Sequence, residues 1–508
     1  VKPRGEKKNR DGNLLFVEKN TRQTVRHLIR YLPSVVVPSV FGLVAVAIYT
    51  RILSPEEYGI YILIFTTALF LQVFTLNWLY QSILRYYERY QASDIAALFT
   101  TSLVFFCAVS LLTAVIFLCV HHFSAKMFDR RLAEALIFLP LVYVGECGFK
   151  FILVFLRAMQ ESLRYSVHLS INAVLKLAVA LVFILLLGYQ SEGILLGLAL
   201  ASGAAFLWEA LRLARRWRPA ARRFSVRLGS QMLRFGLPLL GLVLLNLILS
   251  VSDRYLLQIY QDAAQVGIYS AGYRIAETGV YGFVMLLNLA AFPVLIKVFE
   301  SEGEHRSKTL VNHLLIFYLA LLFPVVTGIS VLSEEIVTVM LGPQYRAARD
   351  LLPWVSSGIA FMGLGLYYAK CFELKEKTFV IPVLYIGPAV LNLLLNLWWI
   401  PRWGMQGAAV STFLAYLSCL LLLALTSRKM IRWQFPWLTA AKSAMASLVM
   451  GMVVHLLPDI GSGWLSLGIK IAAGAGTYLM VLALMEKRIL QTAKTLFTDR
   501  TIDPEAAK

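Results

Sequence analysis

The sequence is short of charge. Asp, Glu, Lys and Arg together supply 15% of its 508 residues, where soluble globular chains carry about a quarter. That shortage excludes a string of water-soluble domains. Cysteine is scarce too. Cys107, Cys119, Cys147, Cys371 and Cys419 all fall inside apolar stretches. None lies in a Cys-x-x-Cys or at metal-ligand spacing, so neither a disulfide nor a metal site is expected, and each reads as a small buried hydrophobe. The motifs of hydrolytic and nucleotide-driven chemistry are missing as well: there is no Gly-x-Ser-x-Gly, no His-Glu-x-x-His and no P-loop. The sequence therefore offers no catalytic residue, no cofactor site, and no route to ATP hydrolysis through a P-loop.

What fills the chain is hydrocarbon. Hydrophobic residues make up 59% of it, gathered in blocks long enough to cross a bilayer core of about 30 Å. About fourteen such blocks are legible, at 31–49, 58–84, 96–120, 133–157, 165–187, 193–211, 235–252, 266–293, 309–330, 351–372, 378–400, 403–425, 435–457 and 463–485. The expected fold class is all-α, a polytopic membrane protein. Residues 1–30 are polar and basic, without a short apolar core and cleavage site, so the first span is expected to act as its own targeting signal.

Lys and Arg outnumber Asp and Glu by 48 to 29, and the excess has a direction. It accumulates in alternate connections, starting with the N-terminal segment. By the positive-inside rule both termini are cytoplasmic and the protein sits in the inner (plasma) membrane. The net charge of +19 is thereby explained by topology and by attraction to anionic membrane lipids. Nucleic acid is not an expected partner, since no basic platform interleaved with aromatics lies outside the spans. Aromatic clusters such as Trp398, Trp399 and Trp403 read as an interfacial belt.

The connection 212–234 carries eight arginines, Arg212 to Arg234, and no acid. It separates two stretches that echo each other. Arg51-Ile-Leu-Ser-Pro-Glu-Glu-Tyr-Gly-Ile-Tyr61 follows the first span. Asp253-Arg254, then Val266-Gly-Ile-Tyr269, follows the seventh. Gly193-Ile-Leu-Leu-Gly197 opens the sixth span, and Gly404-Met-Gln-Gly407 opens the twelfth. The echoes predict two parallel six-helix lobes, 31–211 and 235–425, joined by a basic cytoplasmic linker. A basic N-terminal segment (1–30), a further helix pair (435–485) and a cytoplasmic tail (486–508) complete the expected division. Transporters built from parallel repeats hold substrate between the halves and rock to alternate access.

At these segments, and at Asn392-Leu-Leu-Leu-Asn396-Leu-Trp-Trp-Ile-Pro401-Arg-Trp-Gly404, the chain resembles the Wzx-type polysaccharide flippases of the multidrug/oligosaccharidyl-lipid/polysaccharide superfamily. The likeness runs from about residue 28 to 485. It implies two bundles of six helices plus two peripheral ones. It also implies passage of a polyprenyl-diphosphate-linked oligosaccharide, of the undecaprenyl type, from the cytoplasmic to the outer leaflet for surface polysaccharide assembly. Other polysaccharide assembly proteins are possible partners on the same ground.

Ionisable residues inside spans are costly and are usually paired or functional. Those in the spans are Glu146, Lys150, Lys176, Glu209, Arg274, Glu277, Lys370, Lys442 and Lys470. Glu146 and Lys150 are four apart and can pair on one helix face, as can Arg274 and Glu277 at three apart. Lys176 has no acid within a turn; it needs water, a partner from another helix or a ligand. Lys370, Lys442 and Lys470 lie near helix ends, where snorkelling accounts for them, and Glu209 carries little information. Arg51 and Arg254 close corresponding spans, either as interfacial anchors or as guanidinium forks for a diphosphate. The expected cationic lining for an anionic substrate is Arg51, Lys150, Lys176, Arg254 and Arg274. Glu146, Asp253 or Glu277 could carry a coupling proton or sodium ion, and membrane potential acting on the anion is the other open source of drive.

Two rivals are weighed against this reading. A membrane glycosyltransferase or polymerase needs a sizeable water-facing loop with catalytic carboxylates. The longest outer loop, about 331–350, holds Glu334, Glu335 and Asp350 but reads as a short amphipathic segment. A multidrug exporter of cations needs an acidic cavity, whereas the span residues here are mostly basic.

Overall fold

The computed structural model describes residues 33–124, 130–461 and 463–485. The N-terminal segment 1–30 and the tail 486–508 lie outside the described residues. Every described residue in regular secondary structure is helical. Helix α1 spans Pro33–Ile52. It is followed by α2 (Pro55–Gln91), α3 (Ile95–Ser124), α4 (Arg130–Leu136), α5 (Leu139–Ala158), α6 (Ser162–Leu187), α7 (Ser191–Trp217) and α8 (Val226–Gly236). Then come α9 (Leu240–Tyr260), α10 (Ala263–Val331), α11 (Ser333–Met340), α12 (Leu352–Leu374), α13 (Val380–Ser427), α14 (Trp437–Leu456) and α15 (Gly463–Met485). Most apolar blocks fall largely within one of these helices; 133–157 straddles the break between α4 and α5, and 235–252 the break between α8 and α9. Eleven helical segments among the described residues are long and apolar enough to cross a membrane. The count is below the number of blocks partly because α13 carries two of them as one helical segment.

Local chemistry sets the ends. Pro55 opens α2, where a missing N–H costs nothing, and Glu56 and Glu57 follow in the first turn, where the helix dipole favours acids. Ser225 caps α8 by accepting from Leu228 N, and Asp262 caps α10 by accepting from Gln265 N at 2.8 Å. The 69-residue α10 is two helices joined at Gly303, and the 48-residue α13 is two joined at Gly404. Both glycines have positive φ, +81° and +54°, a conformation that side chains disfavour. Pro401 just ahead of Gly404 removes a helix donor at the same break.

The chain forms two compact units. The first takes Glu56–Leu247 with the part of α1 up to Ala45, and the second takes Ile248 onward with Val46–Pro55. The 212–234 connection, expected as a linker, belongs to the first unit and ends in α8. This helix is docked: Leu228 and Met232 are buried, and Ser82 donates to the Met232 carbonyl at 2.6 Å. A Cβ on Gly229 or Gly236 would strike Phe105 or the Trp78 backbone. In the second unit, α14 and α15 pack on α10 around Ala446, Met450, Val454 and Tyr478. The cysteines divide: Cys147, Cys371 and Cys419 are buried as expected, whereas Cys107 and Cys119 are exposed on α3.

Small residues bring α6 and α7 together. A Cβ at Gly197 would lie 2.7 Å from the Ala180 nitrogen and 2.8 Å from the Lys176 carbonyl oxygen. Both are backbone atoms, which cannot swing aside. Gly197→Val is therefore expected to destabilise the protein by about 1–3 kcal/mol, read as a lowered unfolding temperature of the purified chain. An unchanged unfolding temperature would show that the two helices do not depend on this approach.

Candidate functional site

In the first unit a polar row runs along α6. Arg164, His168, Asn172 and Lys176 recur every fourth residue, so they share one face over about 18 Å of helix. That face meets α5 and α7. Lys176 Nζ lies 2.7 Å from Glu146 Oε1 of α5 and 5.8 Å from the centre of the Phe149 ring. The Ser202 hydroxyl of α7 donates to the same Glu146 oxygen at 2.7 Å, and Asn172 Nδ2 donates to Ser202 at 3.4 Å. The expected pairing of Glu146 with Lys150 is thus corrected: Glu146 pairs across helices with Lys176. Lys176 in turn finds the partner from another helix that a mid-span ammonium requires. Lys150 is exposed on α5 and has no carboxylate within ion-pair distance among the described residues. Lys176 and Glu146 keep some access, with 21% and 12% of their side-chain surface exposed.

Toward the other end of the row sits Glu209, which the sequence reading passed over. Its side chain is 0% exposed. Arg164 donates to Oε1, and His168 Nε2 lies 3.1 Å from Oε2. Arg164 also donates to Glu161, which Arg216 approaches at 3.5 Å. A second missed residue is Glu57, also buried. Its Oε1 accepts from Arg131, and its Oε2 accepts from the Ser191 backbone N–H at 3.2 Å and from the Ser191 hydroxyl. Glu57 thereby satisfies the first turn of α7 from the first turn of α2. Spacing along α6 could have revealed the row. Nothing local points to Glu57 or Glu209, whose partners lie far along the chain.

In the second unit Asp253 is buried and accepts from the Tyr269 hydroxyl, from the Arg254 backbone N–H at 2.8 Å and from Arg254 Nη1 at 3.2 Å. The Arg254 guanidinium also faces the rings of Tyr273 and Tyr269, at 5.0 and 5.8 Å. Arg274 Nη1 lies 3.0 Å from Glu277 Oε2, the pair half-exposed. Arg51, exposed, donates to two backbone carbonyls, Ala47 of its own helix and Val339 of α11. Asn396 donates to Asn392 at 3.1 Å, both amides fully buried.

The snorkelling lysines need one correction. Lys470 points inward: its side chain is 7% exposed, with Nζ 2.9 Å from Glu335 of α11 and 2.8 Å from Asp459. Burial among apolar neighbours is tolerated because two carboxylates meet the ammonium. The hydrogen bond from Lys470 holds the exposed Asp459 carboxyl below its usual range. Its contribution is therefore present above the ordinary Asp range and lost as pH falls through the lowered value. Lys370 is held locally, 3.0 Å from Glu373 and 3.7 Å above the Phe292 ring.

Comparison with known proteins gives this arrangement a setting. The fold is similar to that of the lipid II flippase MurJ in an inward closed conformation. The TM-score is 0.75 at 16% identity, over 91% of this chain and all of that one. It is also similar to an inward-facing multidrug resistance transporter of the MATE family, in the MOP superfamily, with a TM-score of 0.64 at 14% identity over 77% of this chain and 94% of that one. At the sequence level, the chain is 22% identical over 204 residues to the probable low-salt glycan biosynthesis flippase Agl15 of Haloferax volcanii. That match covers 39% of this chain and 43% of Agl15, less than half the relative's length. Residues 25–299, more than half of the chain, match the family described as polysaccharide biosynthesis protein, and the chain belongs to that family.

Proposed function

We propose that this protein is a flippase that carries a polyprenyl-diphosphate-linked oligosaccharide from the cytoplasmic to the outer leaflet by alternating access, as a transporter and not as an enzyme. One observation supports it above the others. Each candidate acid in the spans is already matched by a cation: Glu146 by Lys176, Asp253 by Arg254 and Glu277 by Arg274. Lys150 is left over, so the balance available to a ligand is positive. Fixed cations suit a diphosphate, which must shed water to cross the hydrocarbon. A cationic drug would need the reverse balance, so the multidrug reading, which the fold admits equally, is the weaker one. Lys150, Lys176 and Arg274 are the residues we assign to the headgroup. Arg254 and Arg51 serve as second contacts, since the Arg254 side chain is only 12% exposed and the Arg51 guanidinium is spread over two backbone carbonyls. The source of drive is assigned to Glu146, Asp253 or Glu277 as ion carrier, or to the membrane potential. Deleting the gene and identifying the lipid-linked glycan left in the inner leaflet tests the function. Accumulation of such a glycan is expected, and an unchanged glycan pool with altered drug tolerance would favour the exporter.

The division into two six-helix lobes and the placement of both termini in the cytoplasm belong to the same proposal. Reporter fusions at Gln190, Gln261 and Asp459 are expected to read outside, and fusions at Arg218 and Ser427 inside. A reversed signal at Arg218 would overturn the orientation.

A further inference from the structure

The contact between Lys176 and Glu146 has the form of an internal lock. An anionic headgroup that takes the Lys176 ammonium must displace the carboxylate already 2.7 Å from it. Displaced, Glu146 would remain ionised inside a span with, among the described residues, only the Ser202 hydroxyl to hold it, a costly state in a medium poor in water. One neighbouring group relieves that cost without new partners. The Ser202 hydroxyl donates to Glu146 and accepts from Asn172, and a hydroxyl can equally accept from a protonated carboxyl. The site is therefore satisfied in two states, carboxylate with lysine or carboxylic acid with serine.

We propose that headgroup binding at Lys176 is linked to uptake of one proton by Glu146, so that proton and anion favour each other's binding. This rests on the reading of Lys176 as a headgroup contact. In the step, a proton from water bonds to a Glu146 carboxylate oxygen, and the ion pair to Lys176 opens. The lysine, still an ammonium, then pairs with a phosphate oxygen, and the Ser202 hydrogen turns from Glu146 toward the helix carbonyl one turn back. No electron changes hands. By reciprocity the factor by which the anion favours the proton equals the factor by which the proton favours the anion.

The charges around Glu146 are few, and the described residues place no second carboxylate beside Lys176. On its own helix the nearest charge is Lys150, a cation without a carboxylate partner among the described residues, and Arg157 lies three turns away near the helix end. From α6 the facing charge is Lys176. His168 and Arg164 on α6 are engaged with Glu209 of α7 further along the row. Helix α3 brings no acid, lysine, arginine or histidine between Asp94 and His121. Helix α2, which reaches α5 through Thr75 and Tyr80, brings none between Glu57 and Arg85.

Isothermal titration of the full chain in lipid nanodiscs with farnesyl diphosphate, between about pH 8 and pH 5, tests the linkage. Buffers of different ionisation heat count the protons taken up. For the wild type we expect uptake beyond that of the probe itself. Glu146→Gln is expected to lose this excess and to bind at least about five-fold more tightly at the high-pH end, the lower bound of ordinary coupling between sites. Lys176→Gln should bind weakly at every pH. Equal proton uptake by wild type and Glu146→Gln would overturn the linkage and leave the site standing. Should Glu146→Gln not fold, a wild-type count no larger than the probe's own would overturn it equally. Absence of binding to the wild type, or wild-type binding by Lys176→Gln, would overturn the headgroup assignment itself.

Discussion

Replacing Lys176 by alanine is expected to abolish glycan export while leaving folded protein in the membrane. The two halves of that result have separate causes. Export fails because a charge-assisted contact to a phosphate is worth about 1.5–3 kcal/mol, which is a loss of roughly ten- to more than a hundred-fold in headgroup binding. Folding survives because Glu146, without its lysine, keeps 12% of its side-chain surface exposed and remains bonded to the Ser202 hydroxyl. Arg274→Ala is expected to behave alike, since Glu277 is half-exposed and keeps solvent. Arg274→Lys separates charge from shape: partial export means that charge suffices, and full loss means that a two-pronged guanidinium is required. Complementation of a deletion strain, with protein level measured alongside, is the assay. Lys370→Ala is the control, because that lysine is bound within its own helix to Glu373. Normal export from both alanine variants would refute the cationic mechanism and leave the fold untouched.

Arg164→Ala is expected to cost more in stability than any other single change discussed. Glu209 is fully buried, and Arg164 is its only arginine or lysine partner among the described residues; His168 is the other contact. Removing one member of a buried ion pair costs about 3–5 kcal/mol, since the other charge is left without compensation. The expected readout is a large fall in unfolding temperature and in the amount of protein recovered from membranes. Truncating both partners, as Arg164→Met with Glu209→Met, should recover part of the loss, because no ionised carboxylate then remains buried. An Arg164→Ala protein as stable as wild type would show that Glu209 is held by His168 alone, or is neutral.

The helices themselves were legible, because the bilayer demands apolar runs of fixed length and each run folds as a helix. The breaks were legible where chemistry marks them, as at Pro401 and Gly404. The pairing of charges was not. Four residues of separation suggested Glu146 with Lys150, yet an exposed pair at that spacing is worth only about 0.2–0.5 kcal/mol. The close approach of α5, α6 and α7 supplied Glu146 with a better-placed lysine thirty positions on. Glu57 meets Arg131 and Ser191, and Lys470 meets Glu335, by the same logic. Long-range partners follow from which helices touch, and hydrophobic patterns in the spans hardly encode that, because apolar residues surround most of each helix.

The clamp between Lys470 and Glu335 also sets a clock. The two residues are 135 positions apart, and a ribosome adding about 5–20 residues per second needs roughly 7–27 seconds to travel from one to the other. Through that interval Glu335 is already made while its lysine is not. The surface of α10 that Met450 and Tyr478 will cover likewise waits until those residues are made. A pause in translation between α11 and α15 therefore prolongs an incomplete assembly at its most vulnerable stage, and insertion of the last helix pair is the event that ends it.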